Sequence, residues 1–101
     1  MKHFIILMFL LLWSSLSEAK PLLVQWSMYQ PNIVAVERFV LYRGVNGGAY
    51  TPYVVISDLT ATAYIDNAVK PNRMYCFHLR AVGVTGIMSM PSTQACARPV
   101  R

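Results

Sequence analysis

The chain has few of the side chains that enzymes use for acid, base or nucleophilic chemistry. Its 101 residues include only four acidic residues, two histidines and two cysteines. No Ser/His/Asp set, glycine-rich phosphate loop or metal-ligand spacing is present in the sequence. His78 has no partner that spacing would supply, and it is expected at the surface. We therefore expect no enzyme, no catalytic residue, no metal site and no cofactor.

Negative charge is also scarce, and the chain carries a formal net charge of +5. The positive residues are scattered along the sequence and form no run. A nucleic-acid interface needs basic residues that cluster on one face. The charge therefore indicates a solvated surface, and no nucleic-acid partner is expected.

A long apolar run occurs only at the N terminus. A basic head, residues 1–3, precedes the run, residues 4–13, and a small polar segment follows that ends in Ser17-Glu18-Ala19. This layout predicts a helical signal peptide over residues 1–19, cleaved after Ala19. The mature chain, residues 20–101, is then secreted or periplasmic. The run is about half as long as a bilayer-spanning helix, so a membrane partner is expected only if the signal is not cleaved.

Cysteine occurs at two positions, Cys76 and Cys96. In an exported chain two cysteines form a disulfide more often than a metal site or a nucleophile. The sequence therefore predicts a disulfide between Cys76 and Cys96. A free or intermolecular thiol is the alternative.

Helical periodicity is absent after residue 20. β-Branched and aromatic residues dominate, and turn signals recur about every ten residues, which is typical of an all-β sandwich or barrel. The longest alternating stretch, residues 74–82, places Tyr75, Phe77 and Leu79 on one side. The Val-Asn-Gly-Gly segment at residues 45–48 predicts a tight hairpin turn.

Five local motifs follow one another along the mature chain. They are Val24-Gln25-Trp26, the Phe-Val-Leu-Tyr-Arg segment at residues 39–43, Tyr64-Ile65-Asp66, the Val-x-Pro-x-x-x-Tyr corner at residues 69–75, and Arg80-Ala81-Val82 followed by Gly86 and Ser89-Met90-Pro91-Ser92. In this order and at these spacings, residues 22–98 resemble a fibronectin type III domain. The resemblance implies a fibronectin type III-like (immunoglobulin-like) β-sandwich over residues 20–101.

The resemblance also implies roles for individual side chains. Tyr75 is expected to bury its ring and return its hydroxyl to the backbone of the preceding corner, as tyrosine corners do. Asp66 is expected to cap the turn ahead of that corner. The expected core anchors are Trp26, Phe39, Tyr75, Phe77 and Leu79.

The inward side of the longest strand determines what lies outside. If Tyr75 and Phe77 face the core, Cys76 and His78 face outwards. The last strand returns antiparallel, so a register that pairs residue 76 with 96 also pairs 79 with 93 and 82 with 90. The predicted disulfide then joins two neighbouring strands on the outer face of their sheet.

The family pattern has a strand ahead of the tryptophan strand, but only Lys20 and Pro21 precede Leu22 after cleavage. The first strand is therefore expected to be short or missing, which leaves an open edge at Leu22, Val24 and Trp26. Open edges are a hazard and also a docking mode. Either the domain tolerates the loss, or another chain supplies the strand, or the signal stays on and fills the gap.

Tyrosines and apolar loop residues form a candidate surface patch. Tyrosine combines contact area with a polar group, so it suits either a protein or a sugar. The patch residues are Tyr42, Tyr50, Tyr53, Ile87, Met88 and Met90.

The sequence as a whole predicts an exported, non-catalytic binding or structural module. Its expected partner is another protein, docked by strand addition at the open edge. One alternative is a carbohydrate- or cell-envelope-associated accessory protein that binds glycan through its tyrosine face. The other is a membrane-anchored domain that keeps its signal.

Overall fold

The computed structural model describes residues 5–12, 20–29 and 36–100. These residues form seven strands: β1 Ile5–Leu12, β2 Leu22–Tyr29, β3 Val36–Val45, β4 Thr51–Ile56, β5 Ala63–Asp66, β6 Tyr75–Gly83 and β7 Ala95–Ala97. Within these ranges there is no helix long and apolar enough to cross a membrane.

The strands form two antiparallel sheets that pack face to face. One sheet has the order β1-β2-β5 and the other the order β4-β3-β6-β7. Pro52 lies in β4, at the edge of its sheet, where a residue without an N–H does not interrupt a ladder. The predicted all-β, immunoglobulin-like sandwich is confirmed.

The core lies between the sheets and follows the period-two alternation of β2, β3 and β6. On these strands every second side chain faces the opposite sheet, and the apolar residues occupy those positions. Each large apolar side chain buried in this way contributes roughly 1.5–3 kcal/mol. The five anchors expected from the sequence all lie in this core: Trp26, Phe39, Tyr75, Phe77 and Leu79.

The corner ahead of β6 is held by a tyrosine. The Tyr75 hydroxyl accepts a hydrogen bond of 2.8 Å from the backbone N–H of Lys70. Asn72 between them has φ 67°, in the left-handed region that asparagine tolerates better than most residues. This bond fixes residues 69–75 against the start of β6, as the tyrosine-corner motif implies.

The hairpin between β3 and β4 turns at residues 45–48. Asn46 and Gly47 have φ angles of 53° and 78°, and Gly48 N donates to Val45 O over 2.9 Å, which is a type I′ geometry. The Asn46 side chain accepts a hydrogen bond from Met74 N, so the turn is also tied to the corner ahead of β6.

The N-terminal apolar run is a strand in this structure, not a helix. Residues 5–12 form β1 and pair with β2 from Ile5↔Tyr29 to Leu12↔Leu22. The prediction of a helix over this run is therefore wrong for this structure. The first strand, predicted to be short or missing in residues 20–101, is supplied here by residues 5–12 of the predicted signal peptide. A short apolar run does not distinguish helix from strand by its periodicity, and the open edge of β2 offers backbone partners to it.

The edge expected to be open is consequently covered. β2 lies between β1 and β5, and the backbone of β1 also approaches β7 and β6 of the other sheet. The side chains of Leu22, Val24 and Trp26 point into the core rather than towards a partner. Cleavage after Ala19 falls outside the described residues and stays a prediction.

The two ends of the segment that contains β2 to β7 meet. Lys20 N donates a hydrogen bond of 2.9 Å to Val100 O. Residues 20 and 100 therefore lie side by side although they are far apart in sequence.

The last strand departs from the predicted register. Cys76 pairs with Cys96 as expected, but Leu79 exchanges hydrogen bonds with Ser92, and Val82 pairs with Met88. The predicted pairs 79–93 and 82–90 are wrong. Pro91 has no N–H, so a regular ladder cannot pass through it.

Two serine hydroxyls replace the missing ladder acceptors. Ser92 Oγ accepts from Leu79 N and Ser89 Oγ accepts from Ala81 N, each over 2.8 Å. The backbone N–H groups of the same serines donate to the carbonyls of Leu79 and Ala81. The Ser-x-Pro-Ser segment thus acts as an irregular edge strand built partly from side chains.

Removal of one such hydroxyl is expected to be costly. Ser92→Ala leaves the part-buried Leu79 N–H without its acceptor, so the free energy of unfolding should fall by about 1–2 kcal/mol. Chemical denaturation measures the change. The exposed Ser57 supplies the matched control, because Ser57→Ala should change it by less than about 0.5 kcal/mol. Equal effects of the two substitutions would contradict a ladder role for Ser92.

Candidate functional site

A disulfide lies on the outer face of the four-stranded sheet. Cys76 and Cys96 are directly paired in the β6–β7 register and are joined by an S–S bond of 2.01 Å. The predicted disulfide is confirmed. Because such bonds persist in oxidising compartments, the disulfide indicates an extracellular or periplasmic environment.

The same face carries an aromatic cluster around His78. The ring of Tyr42 stacks on the imidazole with centroids 4.9 Å apart, and the ring of Tyr50 lies against it at 4.2 Å. The Arg80 guanidinium lies over Tyr42 at 5.7 Å, and the Tyr50 hydroxyl donates to Gln94 Oε1. These residues are called the outer aromatic cluster below.

His78 is covered by this cluster, although its strand position faces outwards. Only 8% of the residue is exposed, so the expectation of a surface histidine is wrong. Its Nδ1 atom is buried and has no hydrogen-bond partner among the described residues. Burial, and secondarily the positive charge of Arg80, lower the pKa of His78.

The lowered pKa predicts a stability that depends on pH. The unfolded chain takes up the His78 proton at a higher pH than the folded chain does, so this contribution is present above about pH 6.5 and is lost on acidification. We expect a lower melting temperature at about pH 5 than at about pH 7.5. His78→Phe keeps a stacked ring without a titrating group and should reduce that difference. An unchanged difference would contradict the assignment.

The structure divides the candidate surface patch into three groups. Tyr42 and Tyr50 belong to the outer aromatic cluster. The apolar loop residues Ile87, Met88 and Met90 follow β6 and are all exposed, Met90 by 78%. Tyr53 lies elsewhere, because it is the extra residue of an irregularity that pairs Leu41 with Val54 but Tyr42 with Pro52.

Tyr53 instead joins a buried cluster at the corner ahead of β6. Its hydroxyl donates to Asp66 Oδ1 over 2.7 Å, and the backbone N–H of Ala68 donates to the same oxygen over 3.0 Å. Arg43 Nη1 donates to Asp66 Oδ2 over 2.9 Å and to Ala68 O over 3.0 Å. The Asp66 residue is fully buried, and its carboxylate accepts hydrogen bonds from three different donors.

Aromatic rings support the arginine of this cluster. The Arg43 guanidinium carbon lies 4.0 Å from the centroid of Tyr53 and 5.1 Å from that of Tyr75. Burial, together with the hydrogen bond to Asp66, raises the pKa of Tyr53 well above its ordinary value. A turn cap by Asp66 was expected from the sequence, and the bond from Ala68 N provides it, but the ion pair with Arg43 was not expected. The sequence does contain a signal for this ion pair, because Arg43 lies on the same inward-facing side of its strand as Phe39 and Leu41.

A cleft of about 450 Å³ opens beside this cluster and is called the corner cleft. It is lined by Arg43, Val45, Asn67, Ala68, Val69, Lys70, Arg73 and Tyr75. Three of these side chains are cationic and none is a carboxylate. The cleft therefore combines three cationic side chains with the apolar side chains of Val45, Ala68 and Val69.

The described residues offer no group of three or more His, Cys, Asp or Glu side chains that could hold a metal ion. In the outer aromatic cluster, His78 stacks on Tyr42 and Tyr50. In the corner cleft, Arg43 pairs with Asp66, and Lys70 and Arg73 are exposed to solvent.

Comparison with known proteins gives a likeness of fold. No protein-family model matches the chain, and no curated protein matches it. An Fn3-like protein from Clostridium thermocellum superposes with a TM-score of 0.61 at 22% identity, over 90% of this chain and 83% of that one. The fold is a fibronectin type III-like β-sandwich.

Two further solved structures share this sandwich. A myokine superposes with a TM-score of 0.64 at 15% identity, over 83% of this chain and 86% of that one. Pectate lyase Pel3 from Pectobacterium carotovorum superposes with a TM-score of 0.69 at 16% identity, over 96% of this chain but only 27% of the lyase. At these identities the likeness shows the fold and not an activity.

Proposed function

We propose that the protein is an exported, non-catalytic binding module that takes up an apolar extended segment of another protein at the edge of β2. One observation carries the proposal. β1 pairs with the whole of β2, yet β1 lies within the predicted signal peptide. Cleavage after Ala19 would separate β1 from the chain and leave β2 with an open edge of eight residues.

The side of β2 that would open is known from the pairing with β5. Trp26 N donates to Thr62 O next to β5, so the backbone groups of Leu22, Val24 and Trp26 face β5. In an antiparallel ladder the alternate residues face the other neighbour. Leu23 and Gln25 therefore present their N–H and C=O groups to β1, and a donor strand would bind to the same groups.

The other sheet edges suit a donor strand less well. β4 contains Pro52 and an irregular register, β5 has four residues and β7 has three. Short, irregular or proline-containing edges oppose strand addition. Among the described strands β2 thus offers the longest regular edge once β1 is removed.

The composition and position of β1 also indicate what kind of segment binds. All eight residues of β1 are apolar, and its backbone approaches β7 and β6 across the sandwich. A donor in the same place would have to cover that end of the core. The partner segment is therefore expected to be extended and apolar rather than charged.

A proline substitution at the open edge of β2 tests strand addition. The protein used is the cleaved chain, residues 20–101. The probe is a synthetic peptide of residues 5–12 flanked by lysines, titrated into the oxidised protein. Gln25→Pro removes one N–H from the open side, where an edge strand tolerates proline. We expect a tenfold or larger loss of affinity, since each 1.4 kcal/mol is about tenfold. Gln25→Thr keeps the N–H and is expected to bind as the parent does.

Two outcomes would overturn the proposal. One is equal peptide affinity of Gln25→Pro and Gln25→Thr. The other is rapid hydrogen exchange of the β2 amides both with and without peptide. Near-ultraviolet circular dichroism shows whether each variant keeps the native packing.

A second candidate is the carbohydrate-associated accessory protein. It is favoured by the outer aromatic cluster, and the same sandwich forms about a quarter of a pectate lyase. Neutral glycans should then bind, and Tyr42→Ala should weaken that binding.

If the signal is instead retained, the protein should stay in membranes after an alkaline wash.

A further inference from the structure

The corner cleft concentrates positive charge in a chain whose cations are otherwise dispersed. Arg43, Lys70 and Arg73 line it, and Arg98 lies beside it because its Nη1 donates to the backbone oxygen of Asn72. Among the described residues no carboxylate lines the cleft, and Asp66 beside it is fully buried and already holds three donors. In the described part of the chain, the charged side chains that line the cleft are therefore all cationic.

Arg43 is positioned to do more than neutralise Asp66. Only its Nη1 atom is used in the hydrogen bonds to Asp66 and Ala68. Its guanidinium lies against the rings of Tyr53 and Tyr75, and 19% of the side chain stays exposed. A guanidinium held in one plane is suited to binding a planar carboxylate through its remaining donors.

Lys70 and Arg73 complete the cationic wall from the solvent side. Both residues are exposed and belong to the corner that the Tyr75 hydroxyl fastens to β6. The hydroxyl of the buried Tyr75 accepts from Lys70 N, which fixes the backbone of Lys70 beside the cleft. A fixed backbone thus presents Lys70 and Arg73 beside Arg43 around a single space.

We infer that the corner cleft is a binding site for the carboxylate groups of an acidic polysaccharide. The volume of about 450 Å³ lies within the range of small-ligand sites. The cleft is formed by the end of β3, the corner and the start of β6. An acidic peptide fits less well, because its carboxylates sit on side chains with several rotatable bonds that must be ordered on binding, whereas a uronic acid holds its carboxylate on a rigid ring. The site uses no residue of β2 and is independent of strand docking.

Affinity electrophoresis of the oxidised full chain tests the inference. The gel contains alginate, a polymer of uronic acids, and a parallel gel contains neutral dextran. We expect retardation by alginate that weakens with salt, because exposed charges are screened, and no retardation by dextran. Arg73→Gln and Lys70→Gln should each weaken alginate binding by roughly fivefold, which corresponds to the loss of one charged contact of about 1 kcal/mol.

The matched control removes the same charge from the opposite end of the sheet. Arg38 pairs with the neighbouring Glu37 at the surface, and it lies opposite Val82, far along β3 from the cleft. Arg38→Gln should leave alginate binding unchanged. Arg43→Lys keeps the charge but not the planar fork, so it should weaken alginate binding while the melting temperature reports whether the variant is folded.

Several results would overturn the inference. Absence of retardation by alginate would do so, as would an equal loss for Arg38→Gln and Arg73→Gln, which would indicate a diffuse charge effect. Tighter binding of polyglutamate with the same dependence on Arg73 would assign the cleft to acidic peptides. Tighter binding of dextran sulfate with that dependence would replace the carboxylate by a sulfate.

Discussion

Replacement of both Cys76 and Cys96 by alanine is expected to lower the free energy of unfolding by about 3 kcal/mol. The two cysteines are 20 positions apart, and the chain-entropy model gives about this value for the loop that the disulfide closes. Small domains have net stabilities of only about 5–15 kcal/mol. The loss would therefore remove a large part of the total.

The structure explains why the disulfide contributes so much to the free energy of unfolding. β7 has three residues, and the segment ahead of it pairs with β6 partly through the hydroxyls of Ser89 and Ser92. Denaturant titration of the double variant measures the loss, and the wild type in reducing agent is the control. The two should agree within about 0.5 kcal/mol. A double variant as stable as the oxidised wild type would contradict the prediction.

Loss of the Arg43 guanidinium is expected to have an effect of similar size. In Arg43→Met the fully buried Asp66 carboxylate keeps only the donors from Tyr53 and Ala68. Removal of one partner of a buried ion pair typically costs 3–5 kcal/mol. Since 19% of the Arg43 side chain is exposed, we expect the lower end, about 3 kcal/mol.

A double-mutant cycle distinguishes the ion pair from simple loss of packing. Arg43→Met combined with Asp66→Asn removes both charges, and it should recover about 1–2 kcal/mol relative to the sum of the single variants. Tyr53→Phe is the control, because it removes a neutral donor to Asp66 and keeps the ring under Arg43. Additive effects of Arg43→Met and Asp66→Asn would rule out a coupled pair.

The features that the sequence predicted well depend on local patterns. Alternation along β6 identified the inward Tyr75, Phe77 and Leu79, and the same parity placed Cys76 on the outer face beside Cys96. A period of two determines which face each residue occupies once one face is buried. The hairpin at residues 45–48 followed from the positive φ that its asparagine and glycine adopt.

The features that were missed depend on contacts between distant residues. Arg43 and Asp66 are 23 positions apart, and only the fold shows that they meet. His78 has an outward parity, but Tyr42 from β3 and Tyr50 ahead of β4 cover it. The apolar run at residues 5–12 fits a helix or a strand equally well until β2 offers it an edge.

The hydrogen bond between Lys20 and Val100 determines how the sandwich can be joined to other chains. Because the two residues are adjacent, the segment 20–100, which contains β2 to β7, begins and ends at one place. Such an arrangement permits insertion into a surface loop of a carrier protein, or circular permutation with new ends at an exposed turn. The turn at Asn46 and Gly47 is exposed and lies outside the core, so it is the natural position for those ends.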